Sequence, residues 1–550
     1  MKFHDSLAQF LQWWSSAGTC PTGACKTEYT QIAHIGHIPC VTLHRKVHTM
    51  RIDSEVSMSR AVPLRGTQAP MPDAPAVPSR PERVPLLFRE PFDLLVMALL
   101  AALGLALNHS SVIFGLNLSL ADPVVVALVA VLAFRRELWI PILPLAFFLL
   151  LSVQLLVVTV ALVPSWTSLP LDTSGTVLDL AKLTASFLCL VLGVQTVRSG
   201  HARLALRAFV VGAAAVSAIA VITQFLPIPG TAALYYGDFR YIGLTNDPNN
   251  YAVITIAAIA LLWYDDGVRP WLRAVASAVL ISGALLSASK TGAIALALLI
   301  VWRWLCLRTS QGGKTGSGDR RALAALSALG IVVLVLLVAP ATGFGGLLAE
   351  FTSNIPALDR ISTLLVSFDT AVAGDGSERS ATWTTAVALI LFSPLLGVGL
   401  GTYSTVAFEL TGNVALAHNT FLQIMAEWGL PLAIAFLFWA FRVTFLRPCG
   451  EEHRALWASS STAFLVLLVG SAGLSLNNSR LFWFLLGITA ATHLLSSRRS
   501  PSSTVESGEP METEKRRIPT NGCAVSEPGA ASSAESSHRL EPLTCPGPSR

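Results

Sequence analysis

Apolar runs of about 17–25 residues recur between Pro91 and Leu495, each long enough to cross a bilayer as a helix. They predict about twelve spans, near 91–107, 120–134, 138–163, 177–197, 206–226, 250–264, 271–288, 291–306, 322–340, 418–441, 456–475 and 480–496. None shows the period-two alternation of an outer-membrane strand. The fold class expected is therefore all-α, a polytopic transmembrane helical bundle. Two regions break the pattern. Residues 1–90 mix polarity and crowd with proline from Pro63 to Pro85, and residues 497–550 are rich in Ser, Pro, Glu and Gly. Neither buries enough apolar surface to offset chain entropy, so both are expected to be disordered and dispensable.

The connections alternate in charge. One set carries Arg135 and Arg136; Arg198, Arg203 and Arg207; Arg269 and Arg273; Arg303, Arg308, Arg320 and Arg321; Arg442, Arg447 and Arg454; Arg498 and Arg499. The other set is nearly free of basic residues apart from Arg240, Lys290, Arg360, Arg379 and Arg480. The positive-inside rule puts the first set and both termini in the cytoplasm. Ala381 to Leu396 is apolar and helical in pattern, but crossing there would turn the Arg442–Arg454 connection outward. It is expected instead as a short helix on the outer face, within one large external loop over 341–417. The chain thus divides into 1–90, nine spans over 91–340, the loop 341–417, three spans over 418–496, and the tail 497–550.

Composition narrows the function classes. The chain is 53% hydrophobic and 13% charged, about half the charge of a soluble domain. The net charge of +5 comes from arginines on one side of a membrane, not from a nucleic-acid surface. Eight cysteines include no C-x-x-C, which predicts free thiols and no metal site. The opening Met-Lys-Phe-His lacks a continuous apolar h-region, because Gln9 and Gln12 interrupt it, so no signal peptide is expected; the composition also leaves room for a later translation start.

Chemistry is concentrated in the connections poor in arginine. His418-Asn419 opens a segment in which Gly429 follows after nine intervening residues. An imidazole where a chain enters a bilayer is costly unless it has a task, and it can exchange protons on one side. Arg240 follows Tyr235-Tyr236-Gly237-Asp238-Phe239 and leads into Gly243-Leu-Thr-Asn-Asp-Pro-Asn249-Asn250. Arg379 lies in Glu378-Arg379-Ser-Ala-Thr-Trp383, and Arg360 follows Asp359. A guanidinium presents a planar fork suited to phosphate oxygens. The plain alternative is that these arginines pair with Asp238, Glu378 and Asp359. Two passages mislead: Gly397-Val-Gly399-Leu-Gly401 lacks G-x-G-x-x-G spacing, and its glycines suit tight turns or close approach to a ligand or helix. Ser287-Ala-Ser-Lys290-Thr-Gly292 would make one lysine serve two motifs that need separate places; Lys290 fits an interfacial turn near an anionic head group better. Asp179 and Lys182 share a helix face and are expected to pair, or else to line the same external cavity.

The passages Arg240 to Asn250, Arg379-x-x-x-Trp383 with Pro394 to Gly401, and His418-Asn419 with Gly429, in that order, resemble the O-antigen ligase and polymerase family over roughly Asp93 to Leu495. The chain departs from the ligase pattern after Gly429, where Leu430-Pro-Leu-Ala433 replaces further glycines. The resemblance implies transfer of a glycan from an undecaprenyl-diphosphate carrier, without metal or other cofactor, at the periplasmic face of the bacterial inner membrane. The acceptor hydroxyl it implies is that of lipid A–core, a growing glycan in a polymerase, or a protein side chain in a third branch. His418 would act as general base or proton shuttle, with Arg240 and Arg379 stabilising the leaving diphosphate. Asn419 and Asn250 would position oxygens, Trp383 would stack on a sugar, and Lys290 and Arg360 would assist binding. The rival class, a transporter of lipid-linked glycan or anionic solute, requires broken helices or charges at the bilayer midplane. The notable charges here fall at helix ends.

Overall fold

The computed structural model describes residues 91–110, 119–168, 172–226, 228–237, 239–310, 318–338, 356–366, 378–448 and 453–498, with isolated positions at 170, 342, 346 and 350. The expectations for 1–90, for the tail from 499, for Asp238 and for much of 341–377 lie outside the described residues.

The described chain is helical: α1 Pro91–Ala106, α2 Ala121–Phe134, α3 Ile142–Trp166, α4 Thr173–Arg198, α5 Ala202–Phe225, α6 Pro248–Trp263, α7 Pro270–Leu286, α8 Lys290–Ser310, α9 Gly318–Val338, α10 Pro356–Val366, α11 Glu378–Phe392, α12 Tyr403–Thr411, α13 Thr420–Trp428, α14 Leu430–Phe445, α15 Arg454–Ser471 and α16 Arg480–Arg498. Among the described residues the strands are β1 Tyr235–Tyr236 and β2 Arg240–Tyr241, an antiparallel hairpin that pairs Tyr236 with Arg240. The hairpin is the one departure from an all-helical reading. Its anchor is Tyr241, fully buried, whose hydroxyl donates to the Val216 carbonyl of α5 at 3.0 Å.

Among the described residues, four helices (α3, α4, α5 and α15) are long and apolar enough to cross a membrane by themselves, and shorter apolar helices, including α1, α2, α6, α7 and α14, accompany them. The chain is thus a helical, multi-pass membrane protein. The segments read from sequence as spans fall on α1–α9 and α14–α16, with one division: 418–441 splits at Gly429 into α13 and α14. Gly429 takes φ 76°, ψ 159°, a region open to glycine almost alone.

Helix α6 is the hub. From Tyr251 to Leu262 every side chain is buried, as expected of a helix apolar all round, and α5, α7, α8 and α15 pack against it. Small residues let backbones touch elsewhere: a Cβ on Gly193 of α4 would fall on the Phe484 carbonyl of α16, and one on Gly487 would fall on the Leu190 carbonyl. The same two helices enclose a buried ion pair. Arg480 Nε and Nη2 donate to the two Asp122 carboxylate oxygens at 2.5 and 3.1 Å, and Nη1 reaches Ser186 Oγ at 3.1 Å.

Helix α6 also serves as a ruler for charge. Around its C-terminal end, Arg207 pairs with Asp265 at 2.6 Å, Arg273 donates to the Asp265 carbonyl at 2.7 Å, and Arg303 sits 4.4 Å over the Tyr264 ring. The Arg207 hydrogen bond holds the Asp265 carboxyl below its usual range. At the opposite end, about 24 Å away at 1.5 Å per residue, lies Arg240.

Candidate functional site

Two helix starts meet at Arg240. Asp247 caps α6, accepting from the Asn249 and Asn250 backbone N–H at 2.7 and 3.1 Å, with Pro248 at the first helical position. Ser289 caps α8, accepting from the Gly292 N–H at 3.0 Å while its hydroxyl donates to Asn249 Oδ1 at 2.8 Å. Arg240 spans both starts: Nη2 donates to Asn249 Oδ1 and Nε to the Ser287 carbonyl, each at 3.4 Å, with the Tyr236 ring 5.8 Å away. The preceding residue of the turn, Ala288, holds a left-handed φ of 52°.

Arg360 on α10 and Arg379 at the start of α11 join this group. Burial lowers the Arg240 pKa most, nearby Arg360 adds to that, Asp247 and Tyr236 oppose it, and Arg379 lowers it further. A guanidinium so placed stays charged. Among the described residues no salt bridge engages Arg240, Arg360 or Arg379. Asp359 makes none with its neighbour Arg360, and the side chain of Glu378 lies outside the described residues. Arg360 Nε and the Trp383 indole N–H are buried without a partner. Two cations that oppose the charge of Arg240, an orphan arginine donor and the positive ends of the α6 and α8 dipoles make an electropositive group suited to an anion.

His418 lies on the adjoining helix start. It is exposed, with a left-handed φ of 46°, and precedes Asn419, which caps α13 by accepting from the Phe421 and Leu422 N–H at 3.0 and 3.1 Å. Asn419 Nδ2 donates to the Ala472 carbonyl at 3.1 Å, and Gly473, next in that turn, packs on Thr291 in the first turn of α8. The histidine therefore connects to the arginine group through this turn and α8, not by direct contact. Of the other residues singled out from sequence, Lys290 opens α8 and Trp383 stands one turn from Arg379. Asn250 donates to Asn246 at 3.3 Å while its own Oδ1 is buried and unpartnered. Asn249, not Asn250, touches Arg240. Sequence reasoning passed over Asn249, Ser289 and Tyr236, although each lies inside a passage quoted above; the decoy around Lys290 held Ser289.

The glycine-rich passage wraps the far end of α13. Gly397, Gly399 and Gly401 all take positive φ, of 71°, 89° and 70°. The Val398 and Gly399 N–H groups donate to the Ala426 and Glu427 carbonyls at 2.8 and 3.2 Å, and Leu430 N–H donates to the Pro394 carbonyl at 2.8 Å. A π-helical turn in α3 lets Thr159 hold the Leu400 N–H at 2.7 Å. Its close approach is thus to a helix. Asp179 and Lys182 pair at 2.7 Å, and Asp179 sits against Gly401. Among the described residues no group of three His, Cys, Asp or Glu side chains is placed to hold a metal ion.

A multi-pass helical membrane protein with an arginine group that no described carboxylate pairs and an exposed histidine at adjoining helix starts is the class that fold and site define. Residues 275–437 match the family model described as O-antigen ligase, so this stretch of the chain is similar to that family. The match takes in Lys290, Arg360, Arg379, Trp383, His418 and Asn419, while Arg240 and Asn250 precede it. No curated protein matches the chain.

Proposed function

We propose that this protein is an O-antigen ligase-type glycosyltransferase that moves a glycan from an undecaprenyl-diphosphate carrier to an acceptor hydroxyl, with lipid A–core favoured as acceptor. The observation that carries this reading is the group Arg240, Arg360 and Arg379, which has no carboxylate partner among the described residues and in which Arg360 Nε is buried and unused. A lipid-linked sugar diphosphate is its own activated donor. The acceptor oxygen bonds to the anomeric carbon as the sugar–phosphate bond breaks. The acceptor proton passes to His418, and the arginines take up the charge gained by the leaving diphosphate. Asn419 and Asn250 position oxygens, Trp383 offers a face to a sugar, and Lys290 adds positive charge. The reaction as drawn calls for no metal or other cofactor.

The topology that goes with this reading has about twelve spans, both termini in the cytoplasm, and the site on the periplasmic face of the inner membrane. It is supported by the opposite placement of Arg240 and the Arg207, Arg273 and Arg303 group along α6. The test is surface glycan profiling of a deletion strain carrying wild type or His418→Ala at matched membrane levels. Lipid A–core that regains attached polymer only with wild type supports a ligase, and single repeats without chain growth indicate a polymerase. Full rescue by His418→Ala removes the histidine from the mechanism.

A further inference from the structure

A cavity of about 380 Å³ opens between α8, α9, α13, α14 and α15, within the size range of small-molecule sites. Ala295, Leu298, Leu299 and Trp302 of α8 form one wall, and Leu465, Val466, Leu468 and Val469 of α15 form another. Phe421, Phe441 and Phe445 stack along it in a ladder with ring centroids 6.3 and 6.1 Å apart. Two lining residues carry polar side-chain groups: Thr462, whose hydroxyl is spent on the Ala458 carbonyl at 2.7 Å, and Trp302, whose indole N–H is buried without a partner. A single indole donor falls short of the roughly two to four polar partners that hold a buried water, and no charged side chain meets a head group; hydrocarbon is the occupant the cavity suits.

The α8 wall and the phenylalanine ladder both lead to the candidate site. Helix α8 begins at Ser289-Lys290, bonded to Asn249 and through it to Arg240. Helix α13 begins at His418-Asn419, and Phe421, the first rung of the ladder, gives its backbone N–H to Asn419. A ligand whose diphosphate meets the arginines has its chain directed between these helices. Resting on the function proposed above, we infer that this cavity holds the isoprenoid tail of the lipid-diphosphate donor and sets a preference for long chains over short ones.

The test uses the full-length protein purified in detergent, with undecaprenyl diphosphate and farnesyl diphosphate competing against a tail-benzophenone prenyl diphosphate. Wild type should bind the long chain at least about tenfold more tightly, roughly what burial of two further methylenes yields. Photo-crosslinks should fall on α8, α14 and α15. Leu465→Trp, which fills the cavity, should erase the preference and leave farnesyl diphosphate binding within twofold. If that variant loses both ligands through misfolding, Val469→Phe replaces it, and the wild-type crosslinks decide independently of any variant. Crosslinks on other helices, an unchanged preference, or equal competition by phosphatidylglycerol vesicles would overturn the inference. Absence of binding of either diphosphate to wild type would instead strike at the donor reading itself.

Discussion

Removing Arg360 separates a binding role from a structural one. In the absence of ligand its charge opposes Arg240, and no described carboxylate pairs with it. Arg360→Ala should therefore leave the empty protein as stable as wild type or slightly more so. With a diphosphate present the sign reverses. A charge-assisted hydrogen bond contributes about 1.5–3 kcal/mol, so losing one from the group should weaken diphosphate binding about tenfold or more. At a ligand concentration of about one hundred times the wild-type Kd, binding stabilises wild type by about 2.7 kcal/mol; a tenfold weaker variant retains about 1.4 kcal/mol. Thermal unfolding in detergent, titrated with farnesyl diphosphate, reads both quantities in one experiment. Arg303→Ala is the matched control, since it removes the same charge at the other end of α6, where Arg303 lies over Tyr264. The reasoning is refuted if Arg360→Ala destabilises the empty protein while its farnesyl diphosphate titration overlays that of wild type.

Three further outcomes follow from the packing. Asp122→Ala leaves Arg480 buried and unpaired and should cost about 3–5 kcal/mol, whereas Asp122→Leu with Arg480→Met should recover most of it in the same melting assay. Gly429→Ala must place a Cβ at φ 76°, ψ 159° and against the Leu395 carbonyl, so a loss of at least about 2 kcal/mol, with transfer reduced in membranes, is expected; wild-type melting and transfer would contradict the account of the helix break. Gly487→Leu forces α4 and α16 apart and should lower the yield of monodisperse protein in size-exclusion chromatography, an effect absent from Gly330→Leu, where a Cβ meets open space.

The helices were legible because apolar runs report burial directly: α4 and α15 lie close to their expected positions. The division of 418–441 was not. Residues 420–441 read as one apolar stretch, and only the wrapping of Gly397 to Gly401 around the carbonyls of Ala426 and Glu427 ends α13 there. The arginines and His418 stood out as charges in connections otherwise poor in them. Their spatial relation did not, since Arg240, Arg360 and Arg379 come from separate elements far apart in the chain.

What the sequence determined by itself is thus the class of the molecule and its chemical vocabulary: helices long and apolar enough for a bilayer, sorted arginines, a histidine before a helix start. These are properties of short windows, in which neighbouring residues decide whether backbone groups and charges are satisfied. The tertiary structure decided which of those residues share a site. Asn249 rather than Asn250 meets Arg240 because Ser289, from a different helix, fixes its amide. The apolar cavity beside His418 exists only where five helices fail to close. Each depends on distances between segments remote in sequence, which only packing of the whole bundle sets.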